Sequence, residues 1–423
     1  MKINELHHLF LNYPSVCTDT RKIKPGDLFF ALKGDNFNGN EYADEALNKG
    51  AAYAIIDEDK FLGKQKILVE DVLKALQELA TFHRRFSKAT VIGLTGSNGK
   101  TTTKELINSV LSQKYRTVAT TGNLNNHIGV PLTLLSIKEE TEIAIVEMGA
   151  NHQKEIAFLS AIAEPDFGYI TNFGKAHLEG FGGVEGVIKG KSELFDFLIA
   201  NNKGVFMNAD DPIQREKLKN YIKKYGFSTS DPKFYPITLE ESNPYVIVKV
   251  EDTIIRTHLI GEYNFTNCCA AIIMGKYFNV TLDRIKIGLE GYVPSNNRSQ
   301  IIEKNGLKII LDAYNANPTS MTPALRNFAK MEGAYKVLFL GDMFELGESA
   351  HEEHQNIADL TKELGFENVF LIGENFFKVT SEFKKMKSFD QLKKHLQTFE
   401  IQNAVVFIKG SRGMALERIL ELL

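Results

Sequence analysis

The chain has 423 residues, and at about 150 residues per domain it is predicted to hold roughly three domains. Hydrophobic residues at 43% and charged residues at 24%, with 32 Gly and 11 Pro, exclude the disordered and fibrous classes. Lys plus Arg total 50 against 53 Asp plus Glu, a net charge of −3, so no global positive field draws the chain to nucleic acid or to an anionic membrane.

The first residues, MKINELHHLFLN, have neither the basic start nor the long apolar stretch of a signal peptide. No later apolar run approaches the ~20 residues of a membrane helix, so no membrane insertion and a cytoplasmic location are expected. DLFFALKG reads as a buried strand, EYADEALNKG as a helix and AAYAIID as another strand, which makes residues 1–85 a small α/β domain. The helical DVLKALQELATFHRRF leads into the strand ATVIGLT, and the glycine-rich turn after it opens a second domain near residue 86. EIAIVEM, DFGYITN and KGVFMNAD then alternate with helical stretches, the pattern of a mostly parallel sheet covered on both faces, through residue 292.

Between about 232 and 260, PYVIVKVEDTIIRTHLIG alternates around a central Glu-Asp and predicts an antiparallel hairpin appended to that sheet. NFTNCCAAIIMGKYF resumes as a helix. The cysteines Cys17, Cys268 and Cys269 are odd in number and lack C-x-x-C spacing, which argues against a disulfide framework or a cysteine zinc site and for a reducing compartment. Residues 293–423 carry strands at LKIILDAY, KVLFLGD, NVFLIGE and AVVFIKG separated by helical spans, a Rossmann-like doubly wound α/β domain. With no internal repeat, ligands are expected in the clefts between domains.

The sharpest chemical signal is TVIGLTGSNGKTTTKELINSVL. A strand running into a glycine turn, then Lys-Thr and a helix, is the context of a phosphate loop. Backbone N–H groups of Gly96, Ser97, Asn98 and Gly99 can curl around phosphate oxygens, the helix start adds positive dipole, and Lys100 reaches the terminal phosphates while Thr101, followed by Thr102, offers a hydroxyl to magnesium. The long form G-x-x-x-x-G-K-[ST] is not met, because its first glycine falls on Leu94; the shorter G-x-x-G-K-T is intact. A plain strand-to-helix connection is the alternative. Two later strands end in candidate metal ligands: Glu147 in EIAIVEMGANH and His177 in DFGYITNFGKAHLEGFG, at the carboxyl edge where open α/β sheets collect ligands. Either is equally read as a satisfied polar residue at a strand end.

Taken together, TGSNGKTT, EMGAN, TNFGKAHLE and KSELF resemble the Mur ligases, the ATP-dependent amide-forming enzymes of peptidoglycan synthesis. TDTRKIKPGDLFFALKGD resembles the uridine-nucleotide segment of the members that add the third amino acid and the terminal dipeptide. TGNLNNHIGVPLTLL, LDAYNANPTSM, LFLGDMFELGESAHEEH and IKGSR are similar to the member adding the dipeptide, and the D-N-P-R block of the diaminopimelate-adding member is absent. Two departures stand out: Asn38-Gly39-Asn40 where the family usually has Asp-Gly-His, and Tyr263 where it usually has His in Gly-x-His-Asn.

The resemblance implies an N-terminal UDP-binding domain, a central ATPase domain and a C-terminal ligase domain. It also implies a reaction in which ATP activates the carboxylate of a UDP-N-acetylmuramoyl-tripeptide as an acyl phosphate, for attack by D-alanyl-D-alanine. By resemblance Thr101 and the nucleotide hold one magnesium ion, while Glu147, His177 and a carbamylated Lys191 serve a second. A helical lysine is ordinarily a solvated surface charge and Lys189 is a competitor, but KSELF aligns on Lys191. Asn264 and Asn267 are expected at the base, Asp312 at the ribose, Arg298 at the phosphates, and Tyr314 and Asn315 beside them; helix capping is the plain alternative for Asn264. Thr20 and Arg21 are expected at the uridine nucleotide, and Asn125 and Asn126 at the peptide-bearing part. Lys409, Ser411 and Arg412 are expected at the D-alanyl-D-alanine carboxylate. The chain is expected to act as a monomer and to close its last domain over the nucleotide. A sister ligase adding one amino acid, a folylpolyglutamate-type synthetase and a non-catalytic nucleotide-binding regulator are the competing readings.

Overall fold

The computed structural model describes residues 1–295, 297–333, 335–398 and 401–423. Its N-terminal sheet is wholly parallel, in the order Val16–Cys17, Leu28–Phe30, Tyr53–Ile56, Lys66–Leu68. Leu28, Phe29 and Phe30 are all buried, as an apolar run covered on both faces requires. The helix Val72–Phe86 starts where the Asp71 carboxylate accepts the Lys74 N–H at 2.7 Å, and its apolar stripe packs on the helices Ile3–Asn12 and Gly129–Leu135. Near its end Arg84 reaches into the central domain, pairing with Asp166 at 2.6 Å and donating to Ala163 O. One helix thereby fastens two sheets together.

The same junction holds a buried histidine pair. His83 Nε2 lies 2.8 Å from Ile137 O, so it carries the proton there, and His83 Nδ1 accepts from His7 Nε2 at 3.1 Å. Burial, then the neighbouring His83 and His8, push His7 down to about 4, and burial lowers His83 as well. Both rings are therefore neutral in the fold and protonate more readily once unfolded. Stability from this pair is full above the ordinary histidine value and is lost as pH falls from 6.5 toward 4. Chemical denaturation at pH 7 and pH 4 should show a loss on the order of 2 kcal/mol from this site. His7→Phe should flatten that component, and an unchanged slope would refute the assignment.

The central sheet has seven parallel strands in the order Tyr235–Pro236, Lys224–Ser228, Gly204–Asn208, Phe167–Ile170, Thr90–Thr95, Ile143–Glu147, Thr117–Ala119. The expected appended hairpin is different: Thr238–Glu241, Tyr245–Val250 and Thr253–Ile260 form a separate three-stranded antiparallel sheet. Pro236 lacks an N–H to continue the parallel ladder. Val246, Val248 and Val250 point inward and share a core with the helix Phe265–Tyr277, so this sheet needs a covered face of its own. Cys268 and Cys269 are buried in that helix as small apolar residues.

The C-terminal sheet runs Gln300–Lys304, Leu307–Asp312, Val405–Lys409, Lys336–Gly341, Asn368–Ile372, Lys384–Met386. Its first pair is antiparallel and the rest parallel. The four inner strands are those legible in the sequence. The two edge strands were not, because QIIEK and KKM mix charged residues into short, half-exposed runs. Among the described residues no helix is long and apolar enough to cross a membrane.

Candidate active site

The phosphate loop lies between the buried strand Thr90–Thr95 and the helix Lys100–Leu111. Gly96 has φ +142°, and a Cβ there would stand 1.9 Å from Thr171 Oγ1, so only glycine fits both the backbone and the space. The end of the neighbouring strand braces the loop: Ser97 N–H donates to Asn172 O, Ser97 Oγ to Gly174 O, and Asn98 N–H to Asn172 Oδ1. Lys100 Nζ folds back on the loop, 2.6 Å from Gly96 O. Burial lowers its pKa, Arg298 adds to that, and Glu147 opposes it.

Glu147 ends the strand Ile143–Glu147 and is 1% exposed. Its two carboxylate oxygens accept Thr101 Oγ1 at 3.0 Å and Asn125 Nδ2 at 2.8 Å. Hydroxyl and carboxylate thus meet beside the loop lysine. His177, at φ +53°, instead faces Glu345 of the C-terminal domain, and a hydrogen bond from it holds the Glu345 carboxyl below its usual range. Lys191 is wholly buried, so it is not the solvated lysine its helical position suggested; Lys189 is the exposed one. Lys191 Nζ donates to Ala150 O at 3.0 Å, and burial, reinforced by Lys100, pushes its pKa well below the ordinary value.

Asn264 stands at the start of the helix Phe265–Tyr277 but does not cap it. Its Nδ2 donates to Ile260 O, and its Oδ1 accepts from Asn267 Nδ2 at 2.8 Å. Asn267 in turn takes the Thr103 hydroxyl and abuts Gly99 of the loop. Across the domain boundary Arg298 stacks on Tyr314, 3.6 Å from the ring centre, and its buried Nε has no hydrogen-bond partner among the described residues. An anion would satisfy such a group. Asp312 accepts the Ser299 N–H at 3.0 Å and pairs with Lys409 at 2.6 Å, and Lys409 also donates to Asn315 O.

These residues surround one cavity of about 970 Å³ between the central and C-terminal domains. Ser97 to Thr102, Asn125, Asn126, Glu147, His177, Asn264, Asn267, Arg298, Asp312, Tyr314, Asn315 and Lys409 line it. Thr20, Arg21, Lys191, Ser411 and Arg412 are not brought to its wall. Arg21 is exposed and held bidentately by Asp19, while Arg412 is exposed and paired with Glu417. Ser411 is buried, its Oγ accepting the Phe344 N–H. Lys409 is 2% exposed and already matched by Asp312, so its charge is spent within the domain rather than free for a carboxylate. The sequence reading missed His127, Gln153, Lys154, Phe158, Tyr263, Ser299 and Thr319, which also line the cavity. His127 lies inside the NLNNHIG run, Thr319 inside LDAYNANPTSM and Tyr263 at a noted departure; Gln153, Lys154, Phe158 and Ser299 carry no local signal.

A strand, glycine loop and Lys-Thr helix start facing a carboxylate, under a second α/β domain that supplies an arginine, define a nucleotide-dependent enzyme of the phosphate-loop class. Three family models match in chain order: "Mur ligase family, catalytic domain" over residues 12–84, "Mur ligase middle domain" over 94–275, and "Mur ligase, glutamate ligase domain" over 297–412. The chain belongs to the Mur ligase family. It is 35% identical to the UDP-N-acetylmuramoyl-tripeptide–D-alanyl-D-alanine ligase of Bacillus subtilis (strain 168), covering 96% of this chain and 92% of that one. It is also 35% identical to the ligase of that name from Escherichia coli (strain K12), covering 99% and 95%. Among solved structures it resembles MurF from Acinetobacter baumannii, with TM-score 0.84 and 30% identity over 96% of this chain and 92% of that one. It also resembles the MurF ligase of Thermotoga maritima in complex with ADP, with TM-score 0.84 and 28% identity over 97% of each chain.

Proposed function

We propose that this protein is the ATP-dependent ligase that joins D-alanyl-D-alanine to UDP-N-acetylmuramoyl-tripeptide, giving the UDP-muramoyl-pentapeptide precursor of peptidoglycan, ADP and phosphate. The observation that carries it is the cavity, which places the phosphate loop, the Thr101–Glu147 pair and the Arg298–Tyr314 stack around one space, in a chain similar along its whole length to ligases of that name. A carboxylate is a poor electrophile at neutral pH. Its oxygen attacks the γ-phosphorus of ATP, the bridging P–O bond to the β-phosphate breaks, and ADP leaves behind an acyl phosphate. The amine of D-alanyl-D-alanine then attacks the acyl carbon, the C–O bond to phosphate breaks, and the nitrogen gives up its protons as the amide forms.

Negative charge accumulates around the transferred group, and this chain meets it with Lys100 from the loop and Arg298 from the domain above. Asn264 and Asn267 would border the base, Asp312 the ribose, and Asn125 and Asn126 the peptide arm. Thr101 and Glu147 fit magnesium, a hard ion that is held by one or two carboxylates and hydroxyls and completes its shell with water and phosphate. Held there, the ion would neutralise phosphate charge. Of the residues expected at a second ion, Glu147 and His177 line the cavity, His177 beside Glu345, and Lys191 Nζ donates to Ala150 O. Among the described residues no three His, Cys, Asp or Glu side chains form a ready cage. The division into domains at 1–85, 86–292 and 293–423, action as a monomer and a cytoplasmic location belong to the same proposal.

The test is phosphate release from ATP with magnesium, UDP-N-acetylmuramoyl-tripeptide and D-alanyl-D-alanine supplied singly and together, with the product followed by mass. Release that needs both substrates and yields a new amide is expected. Turnover with a single amino acid in place of the dipeptide, or with no substrate pair, would overturn the assignment.

A further inference from the structure

The tip of the phosphate loop and the C-terminal domain meet through two asparagines. Asn317 Nδ2 donates to Asn98 Oδ1 at 2.7 Å, and Asn98 Nδ2 donates to Asn317 Oδ1 at 3.3 Å. Asn317 is 4% exposed and begins the helix Pro318–Lys330, where its Oδ1 also accepts the Ser320 N–H at 3.0 Å. On the other side Asn98 is held from beneath, its carbonyl accepting Thr171 Oγ1 at 2.6 Å and Asn172 Nδ2 at 3.0 Å. The seam continues next door: Lys175 N–H donates to Thr319 Oγ1 at 2.8 Å, and Lys175 Nζ pairs with Glu353 at 2.6 Å. Gly174 lets the surfaces close, since a Cβ there would stand 2.7 Å from Thr319 Cγ2.

Capping alone does not account for Asn317. A cap needs only an oxygen, which serine or aspartate supplies as well. The amide nitrogen is the additional group, and it is aimed at Asn98. The pair can form only when the C-terminal domain sits against the loop, so its hydrogen bonds bias docking of the domain and the conformation of the loop tip together. We infer that Asn317 is a positioning residue that couples seating of the C-terminal domain to the shape of the phosphate loop. The inference rests on the proposed ligase reaction only for its turnover readout; the coupling itself is read on nucleotide binding.

The experiment is a double-mutant cycle on the full chain with Asn317→Ser, which keeps a capping oxygen but cannot reach Asn98, and Asn98→Ala. ADP affinity is measured by calorimetry and kcat/KM for ATP by turnover. Loss of a reciprocal pair of hydrogen bonds is expected to weaken both quantities roughly tenfold in Asn317→Ser. The double variant should be no weaker than Asn98→Ala alone, and Asn317→Asp, which retains one of the two bonds, should lose about threefold. The unfolding temperature of Asn317→Ser should stay at the wild-type value, since the cap survives. Losses that multiply to about a hundredfold in the double variant, or an Asn317→Ser affinity within about twofold of wild type, would overturn the coupling. Should Asn317→Ser fail to fold, Asn317→Asp with Asn98→Ala closes the same cycle. If wild type makes no amide while the ADP cycle shows coupling, the ligase reading falls and this inference stands.

Discussion

Lys191→Met is expected to abolish amide formation while raising the thermal unfolding temperature. The amine is 0% exposed, it donates to Ala150 O and it lies 4.8 Å over the Phe181 ring. Burial and the nearby Lys100 outweigh Glu155 and Glu193, so the folded chain disfavours its charge. A residue kept only for stability would not be a cation there. Methionine has similar length and no charge, so relieving that desolvation should raise the midpoint. We propose that the lysine's role is chemical: a buried amine whose charge is disfavoured would add to carbon dioxide. Its nitrogen lone pair would form an N–C bond, one C=O pair would move to oxygen and a proton would leave, turning a cation site into an anionic carbamate. Carbon-13 NMR with labelled bicarbonate should show the carbamate in wild type and not in the variant, and a short carboxylate additive should partly restore turnover. Full activity in Lys191→Met would sink this role.

The second large effect is expected at Lys100. Lys100→Met should lower kcat by about 10³-fold, the scale seen when a preorganised cation or donor at a transferring group is removed. ADP affinity should fall far less, because the charge this lysine meets grows as the γ-phosphoryl group moves. Its contacts are the carbonyls of Gly96 and Ser97, which do not require a cation, and burial already opposes its charge. The folded state should therefore survive the change with no loss of unfolding temperature. Single-turnover phosphate release alongside calorimetry with ADP separates the two quantities. Equal losses in both would mean that Lys100 serves ground-state binding alone.

The two variants differ in how their residues could be found. Lys100 is legible from its neighbours, because a phosphate loop is a contiguous device: the strand, the glycines with positive φ and the helix start all lie within a dozen residues. Lys191 has no such local signature. Its neighbour Lys189 is chemically identical, and only the side of the helix Val184–Ala200 that packs inward separates them.

The sequence by itself determined the α/β class of the three domains, most inner strands of their sheets, though not Lys224–Ser228, and the phosphate loop. It did so because these depend on apolar runs, helical periodicity and turn residues within one short segment. It also supplied the family, through many blocks in one order. Tertiary structure alone decided that residues 238–260 make a separate antiparallel sheet and that Lys409 is neutralised by Asp312. It likewise decided that Arg298 stacks on Tyr314, and that Asn317 reaches Asn98 from 219 residues away. Each of these is a pairing between segments distant in the chain. Which partner a charge or an amide meets is set by how whole domains pack, and no local pattern carries that information.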